Sequence, residues 1–461
     1  MRKKPSRQAA ELGTEPIRRL LFRYAMPAII AMTASSVYNM VDSIFIGHGC
    51  GVLALSGLTV AKPMMDICAA FGSFVGVGAS TLVAIFLGEK NYDSAGKVLG
   101  NVIVLNLILG LLVMVVGLLW LEPILRAFGA GDDTLPYARS YMEIILYGNV
   151  LTHIYFGLNN MLRSMGHPKI SMTATIVAVT VNIILDPIFI FTLDMGVRGA
   201  ALATILSQTI AVAWQMTVFC NPKELIHFHR GIWRLDRHIT LRSFAIGASP
   251  FLMNLAHCFV VVIINNQLVR FGGDMALASY GVINRFTFVF AMIVMGLNQG
   301  MQPIVGYNFG ARQYARMLRA FRLTAVCATL VMGTVFLLGE FSPKWMILLF
   351  THDSALVAAT ITPMRILCCS MWVVGFQMVT GNFFTSIGMA GKAIFLSLTR
   401  QVLYLIPLAL LLPCLFHTEP IAGVWWSLPV SDLLSGLTAG VMLVVQIRRF
   451  RHAISAGHTI S

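Results

Sequence analysis

The sequence predicts an all-α membrane protein with twelve transmembrane helices in two pseudo-symmetric six-helix lobes. Three observations carry that reading. Of 461 residues, 57% are hydrophobic and only 11% are charged, against about 25% charged in a soluble domain. The apolar residues come in long blocks, and a helix crosses a bilayer in roughly 20 residues. The chain also repeats itself at an offset of about 222 residues, so that "FLGEKNY" (86–92) is matched by "NFGARQY" (308–314). A soluble helical protein would need polar faces and longer polar loops between its elements.

The elements follow in order. Residues 1–23, "MRKKPSRQAAELGTEPIRRLLFRY" up to its last residue, form a basic tail. The apolar run after it is longer than a signal-peptide core and is kept as a helix. Span 1 (24–46) is that run, and span 2 (54–87) ends at "FLGEKNY". Span 3 (98–120) holds "NVIVLNLILGLLVMVVGLLW". Span 4 (136–162) ends at "RSMGHPK", span 5 (170–193) holds "VNIILDPIFIF", and span 6 (198–220) starts within "GVRGAALAT". These make an N-lobe, 24–220. The polar, basic stretch 221–241 is the linker. Span 7 (242–270) contains "INNQL", span 8 (276–309) ends at "NFGARQY", and span 9 (318–340) holds "FRLTAVCATLVMGTVFLLG". Span 10 (356–387) ends at "NFFTSIGMAGK"; spans 11 (394–416) and 12 (421–447) complete a C-lobe, 242–447, before a tail, 448–461.

The repeat recurs in register. Asn160, Ser164 and Gly166 match Asn382, Ser386 and Gly388, and Pro27 matches Pro250. Six spans per half is an even number, so both halves enter from one side and the repeats are parallel. Such repeats place a substrate cavity between two lobes that rock. Of 33 Lys and Arg residues, only Lys62, Arg126, Arg139, Arg198, Arg270, Lys344 and Arg365 fall opposite the termini, with Arg285 inside span 8. The positive-inside rule then puts both termini in the cytoplasm. The net charge of +14 is this bias and calls for no nucleic-acid partner. The eight cysteines lie mostly in apolar runs without metal or redox spacing, and read as packing residues.

Acids inside spans point to function. A carboxylate near a helix centre costs about 2.5–3.5 kcal/mol on insertion scales, so it faces protein or water and has a partner. Asp42 lies about 28 Å along span 1 and Asp186 about 24 Å along span 5, at 1.5 Å per residue. Asn182 is one turn before Asp186; Thr204 in span 6 and Tyr141 in span 4 reach a similar level. These five are expected to form one polar cluster in the first lobe. Two carboxylates in a dry site share a proton, or hold a small cation such as Na⁺ as a metal ligand pair. Pro187 adds a local distortion beside Asp186. The second half lacks the group: Asn265 stands at the position matching Asp42, and Ala409 near that of Asp186.

These residues resemble the multidrug and toxic compound extrusion (MATE) family, most closely its MepA-type bacterial branch. The likeness rests on "NMVDSIFIGH", "FVGVGASTLVAIFLGEKNY", "RSMGHPK", "NIILDPIFIF", "GVRGAALAT", "ALASYGVINRF" and "MGLNQGMQPIVGYNFGA", and covers nearly the whole chain. It implies a V-shaped pair of lobes in the bacterial inner (plasma) membrane that exports small amphipathic organic cations in exchange for H⁺ or Na⁺. It also implies that Asp42, Tyr141, Asn182, Asp186 and Thr204 form the coupling site. The chain departs from the branch that keeps its acids on spans 7 and 10, which hold none here.

Other residues carry two readings each. Arg285 is a gating or substrate-contact candidate, or snorkels from a long helix. His257 is a proton-relay candidate, or a hydrogen-bonded interior histidine. Glu143 and Asp432 are candidates to join the acid cluster. Asp66 lies one turn after Lys62 and reads as its ion-pair partner. Gly72, Gly76, Gly296 and Gly300 are spaced for close helix packing. No phosphate-binding loop is present, which excludes an ATP-driven pump of that type, and neither H-E-x-x-H nor G-x-S-x-G occurs. A secondary antiporter is therefore expected, acting as a monomer in the lipid bilayer, without cofactor beyond its coupling ion. The alternatives are a flippase for lipid-linked precursors and an intramembrane aspartyl enzyme using Asp42 and Asp186.

Overall fold

The computed structural model describes residues 7–456; the ends of the two expected tails, 1–6 and 457–461, lie outside the described residues. Among the described residues every regular element is a helix, and all twelve spans are present in two lobes. Several differ in detail from the sequence reading. Span 1 begins earlier, as Ile17–Cys50, after a short helix Arg7–Thr14, so most of the expected tail is helical. Span 4 is two helices, Leu135–Tyr147 and Asn149–Ser164, broken at Gly148. Ile205 of span 6 presses on that glycine so closely that a Cβ would collide with its side chain. Spans 7 and 8 run as Arg237–Gly310, folded back at Gly273 in the left-handed region (φ 64°). Span 10 is Ser354–Cys368 and Met371–Ser386, bent by 47°. The linker is shorter than expected because span 7 starts at Arg237, and span 12 continues through Pro420–Ala456 into the expected tail.

The repeat is visible in backbone contacts. A Cβ on Gly88 would collide with the carbonyl oxygen of Tyr307, and one on Gly310 would collide with that of Ile85. Each pair is the other moved by one repeat, so spans 2 and 8 cross on the pseudo-two-fold axis. Gly296 and Gly300 of span 8 lie against Ile29 and Ala25 of span 1, while Phe74 and Gly78 of span 2 lie against Gly247 and Ser243 of span 7. Small residues let helix backbones approach, which is how helices associate where lipid removes the hydrophobic drive. Gly72 and Gly76 serve the N-lobe internally, against His153 and Gly157.

These crossings lie in the half of the molecule nearer the termini. On span 7 they run from Ser243 to Phe251, whose ring is 4.7 Å from that of Phe71. On span 8 they run from Gly310 back to Gly296, about 21 Å of helix. Past that depth the N-lobe builds a core of its own, around Ile46, Leu58, Leu125, Tyr141 and Met142, with no C-lobe residue in it. The lobes meet at the terminal end and part toward the other.

Two polar fastenings close the terminal end. The helix Arg7–Thr14 buries Leu12, whose carbonyl accepts from Asn308 Nδ2 at 3.0 Å; Arg316 donates to the carbonyl of Glu15 at 2.6 Å, and Arg23 pairs with Glu11 at 2.6 Å. The linker is tied to the N-lobe: Asn101 and the Asp236 backbone exchange two hydrogen bonds (3.3 and 3.4 Å), and His167 meets Glu224 at 3.0 Å.

Candidate functional site

The five expected residues are brought together in the N-lobe, from four spans. Asp42 is 5% exposed, and Asp186, Asn182 and Tyr141 are at most 1% exposed. Span 5 stays α-helical to Pro187 and then widens into a π-turn over Ile188–Thr192, where the proline has removed a backbone hydrogen bond. Ile190 and Phe191 of that turn close on span 1 at Gly49, and Phe45 meets Phe191 edge-on at 6.3 Å. This holds spans 1 and 5 together at the level of the two acids.

Within the cluster, Asn182 sits between Asp186 and Thr204. Its amide satisfies both neighbours when the NH₂ donates to Asp186 Oδ2 at 2.9 Å and the oxygen accepts from the Thr204 N–H at 3.2 Å. The Thr204 hydroxyl donates to the Ala200 carbonyl at 3.1 Å, so Tyr38, 3.1 Å away, donates to it. The carboxyls of Asp42 and Asp186 lie within hydrogen-bond reach of each other. Two carboxylates cannot bond unless one carries a proton. Among the described residues, nothing donates to Asp42 Oδ1, and the Tyr141 hydroxyl is turned to Thr204. Tyr38 was not singled out from the sequence. Its position one turn before Asp42 was the available signal.

The other candidates lie elsewhere. Glu143 is paired with Arg139 at 2.8 Å, beside a surface cavity of about 370 Å³ lined also by Arg198. It shares span 4 with Tyr141, but two positions along a helix point to different faces. Lys62 and Asp66 form the expected pair at 2.7 Å. Arg285 is exposed, near exposed Phe288 and Val289, and has no acidic partner among the described residues; this fits snorkelling. Asn265 is half-buried in the C-lobe. His257 has Gln401 as a hydrogen-bond partner, as a bonded histidine would, with Arg400 of its own lobe and Asp66 of the other nearby. It lies in the cleft; the enclosed histidine is His153, bonded to the Cys68 carbonyl at 3.0 Å.

Asp432 does not join the N-lobe acids. It is buried in the C-lobe with Arg400 Nε at 2.7 Å and Ser370 Oγ at 3.0 Å. Arg400, read from sequence as a residue of a helix end on the terminal side, lies about 15 Å into span 11, in a π-helical stretch Thr399–Leu405.

Two parallel six-span lobes meeting at one end, with a buried acid pair in one of them, define a two-lobed membrane transporter. The MatE family profile matches twice, over residues 27–188 and 250–411, once in each half, and the chain belongs to that family. It is 28% identical to the multidrug export protein MepA of Staphylococcus aureus over 449 residues, 96% of this chain and 97% of that one. To MepA of Staphylococcus saprophyticus it is 26% identical, with 94% of each chain covered. Among solved structures, the MATE multidrug transporter DinF-BH is 34% identical, with 96% and 98% covered and a TM-score of 0.87. A MATE in the bent conformation gives 0.91 at 22% identity, covering 98% and 99%. The chain is a MepA-like multidrug efflux transporter, a multi-pass membrane protein and not an enzyme, which removes the aspartyl-hydrolase alternative.

Proposed function

We propose that the chain is a secondary exporter of small amphipathic organic cations, driven by H⁺ taken up at Asp42 and Asp186. The observation that carries this is the pair of carboxyls within hydrogen-bond reach, one oxygen of Asp42 having no donor. Such a pair is complete with one shared proton. The Asn182 oxygen is taken by the Thr204 N–H and its NH₂ faces Asp186, so this amide offers no oxygen ligand to a Na⁺ ion.

The lobes, parted away from the termini, then expose the cleft outward, and the positive-inside bias puts the termini in the cytoplasm. The exporter acts as a monomer in the bacterial inner membrane. Proton and drug each favour one lobe arrangement through their different affinity for the two, so loading one releases the other.

The test is dye efflux from proteoliposomes after an imposed pH jump, without Na⁺, comparing wild type with Asp186→Asn at equal reconstitution. Efflux in wild type that vanishes in the variant is expected. Equal efflux in both would make Asp186 structural. Efflux that appears only with a Na⁺ gradient would replace the proton as the driving ion.

A further inference from the structure

One polar side chain interrupts the glycine crossing of spans 2 and 8. Gln302 of span 8 is 7% exposed, and its Nε2 donates across the lobe boundary to Thr81 Oγ1 at 2.8 Å, Ser80 Oγ at 3.2 Å and the Val77 carbonyl at 3.4 Å. Ser80 and Thr81 are buried. Among the described residues, these are the only side-chain hydrogen bonds between the two spans. The same stretch of span 8 is otherwise glycine and apolar: Gly306 lies against Ala84, and Met301, Ile304 and Val305 are fully buried.

The repeat explains the place. At the offset that pairs 86–92 with 308–314, the counterpart of Gln302 is Ser80 and that of Gly306 is Ala84. Two groups exchanged by a two-fold operation touch only where the axis runs between them. Gln302 with Ser80, and Gly306 with Ala84, therefore lie on the pseudo-two-fold axis, the first pair about 12 Å along span 8 from Gly310. The duplication is unequal there, with a long amide on one side and two hydroxyls on the other. Ser80 also donates to the Val77 carbonyl of its own helix at 3.0 Å, so parting the lobes strands no donor in the N-lobe. The bonds of Gln302 exist only while the terminal end is closed. Apolar contact has no direction, whereas a hydrogen bond weakens steeply with angle, so this amide also fixes the register in which the two helices meet.

We propose that Gln302 is the latch of the terminal end, a positioning residue that sets how readily the lobes open there. Thr81 and Ser80 are its keeper on the other lobe. This rests on the exporter reading only in calling that opening a step of transport.

The test reads the ratio of open to closed distances at the terminal end, with spin labels on Asp93→Cys and Ala315→Cys and the native cysteines replaced. Both positions are exposed, one in each lobe, and they are repeat counterparts. Gln302→Met keeps the length of the side chain and removes the donor, and the ratio should rise about tenfold. Thr81→Val removes the acceptor at 2.8 Å and should move the ratio the same way. The two together should move it no further than Gln302→Met alone, because they break one interaction. Gln302→Ser should open the end as Gln302→Met does. Adding Ser80→Gln carries the amide to the other side of the axis, and should return the ratio to within about twofold of wild type. A side chain that only filled space would not be restored by that exchange. No rise in Gln302→Met, additive shifts in the Thr81 pair, or an exchanged protein that melts as wild type does and stays open would each overturn the proposal. If the exchanged protein does not fold, the Gln302→Met and Thr81→Val comparison carries the test. Efflux by wild type after a pH jump is measured separately. Its failure would count against the exporter reading and leave the distance comparison standing.

Discussion

At the scale of residues, the acid site is two buried carboxyls that can pair only by sharing a proton. Tyr141 is fully buried with its hydroxyl turned to Thr204, beside the two acids. Tyr141→Phe should leave the melting temperature in detergent within about 2 °C while slowing pH-driven efflux about fivefold, the worth of one hydrogen bond. Unchanged efflux would make Tyr141 a packing residue. The acids were legible in the sequence because a charge in an apolar run is costly and therefore rare. Depth along each helix then put Asp42, Asp186, Asn182, Tyr141 and Thr204 at one level, where the structure has them side by side. Arg400 was not legible as a deep cation, because an arginine ten residues past the start of span 11 also fits a helix end. Its partner Asp432 is 32 residues away, and no spacing rule joins them.

At the scale of elements, glycines divide into two kinds. Gly157 packs inside the N-lobe, where a Cβ would collide with Asn106 Nδ2. Gly157→Ala should cost about 1–3 kcal/mol through overpacking, read as a lower melting temperature. Gly88 and Gly310 lie between the lobes. A methyl group there opposes one lobe arrangement, not the fold of either lobe. Gly88→Ala and Gly310→Ala should keep the melting temperature and lower the population closed at the terminal end, measured by spin-label distances across that end. Gly333, with nothing within 4 Å of its Cβ position, is the control. The sequence marked these glycines by repeat register, but register cannot say which helix comes near. The breaks at Gly148 and near Cys369 were missed for the same reason: a hydrophobic run reads as continuous whether or not a neighbour bends it.

At the scale of the whole molecule, contact at one end and separation at the other make a single arrangement of two bodies. Phe71 and Phe251 meet at 4.7 Å between the lobes. With the native cysteines replaced, Phe71→Cys with Phe251→Cys should cross-link under oxidation, stop efflux, and regain it on reduction. Efflux that persists in the cross-linked protein would mean that the terminal end does not open during transport. Two lobes and their number of spans were legible because duplication and hydropathy are properties of the sequence alone. Where the lobes touch depends on which face of each helix is turned inward, and a span that is apolar on all sides does not record that.

The linker adds a constraint on how such bodies can move. It is fastened to the N-lobe as far as Asp236, and span 7 begins at the next residue. The tether between the lobes therefore has almost no slack at that point. A joint without slack removes sliding and leaves rotation. It acts as a hinge pin, placed at the rim of the terminal end and off the pseudo-two-fold axis, so the two lobes need not swing by equal angles.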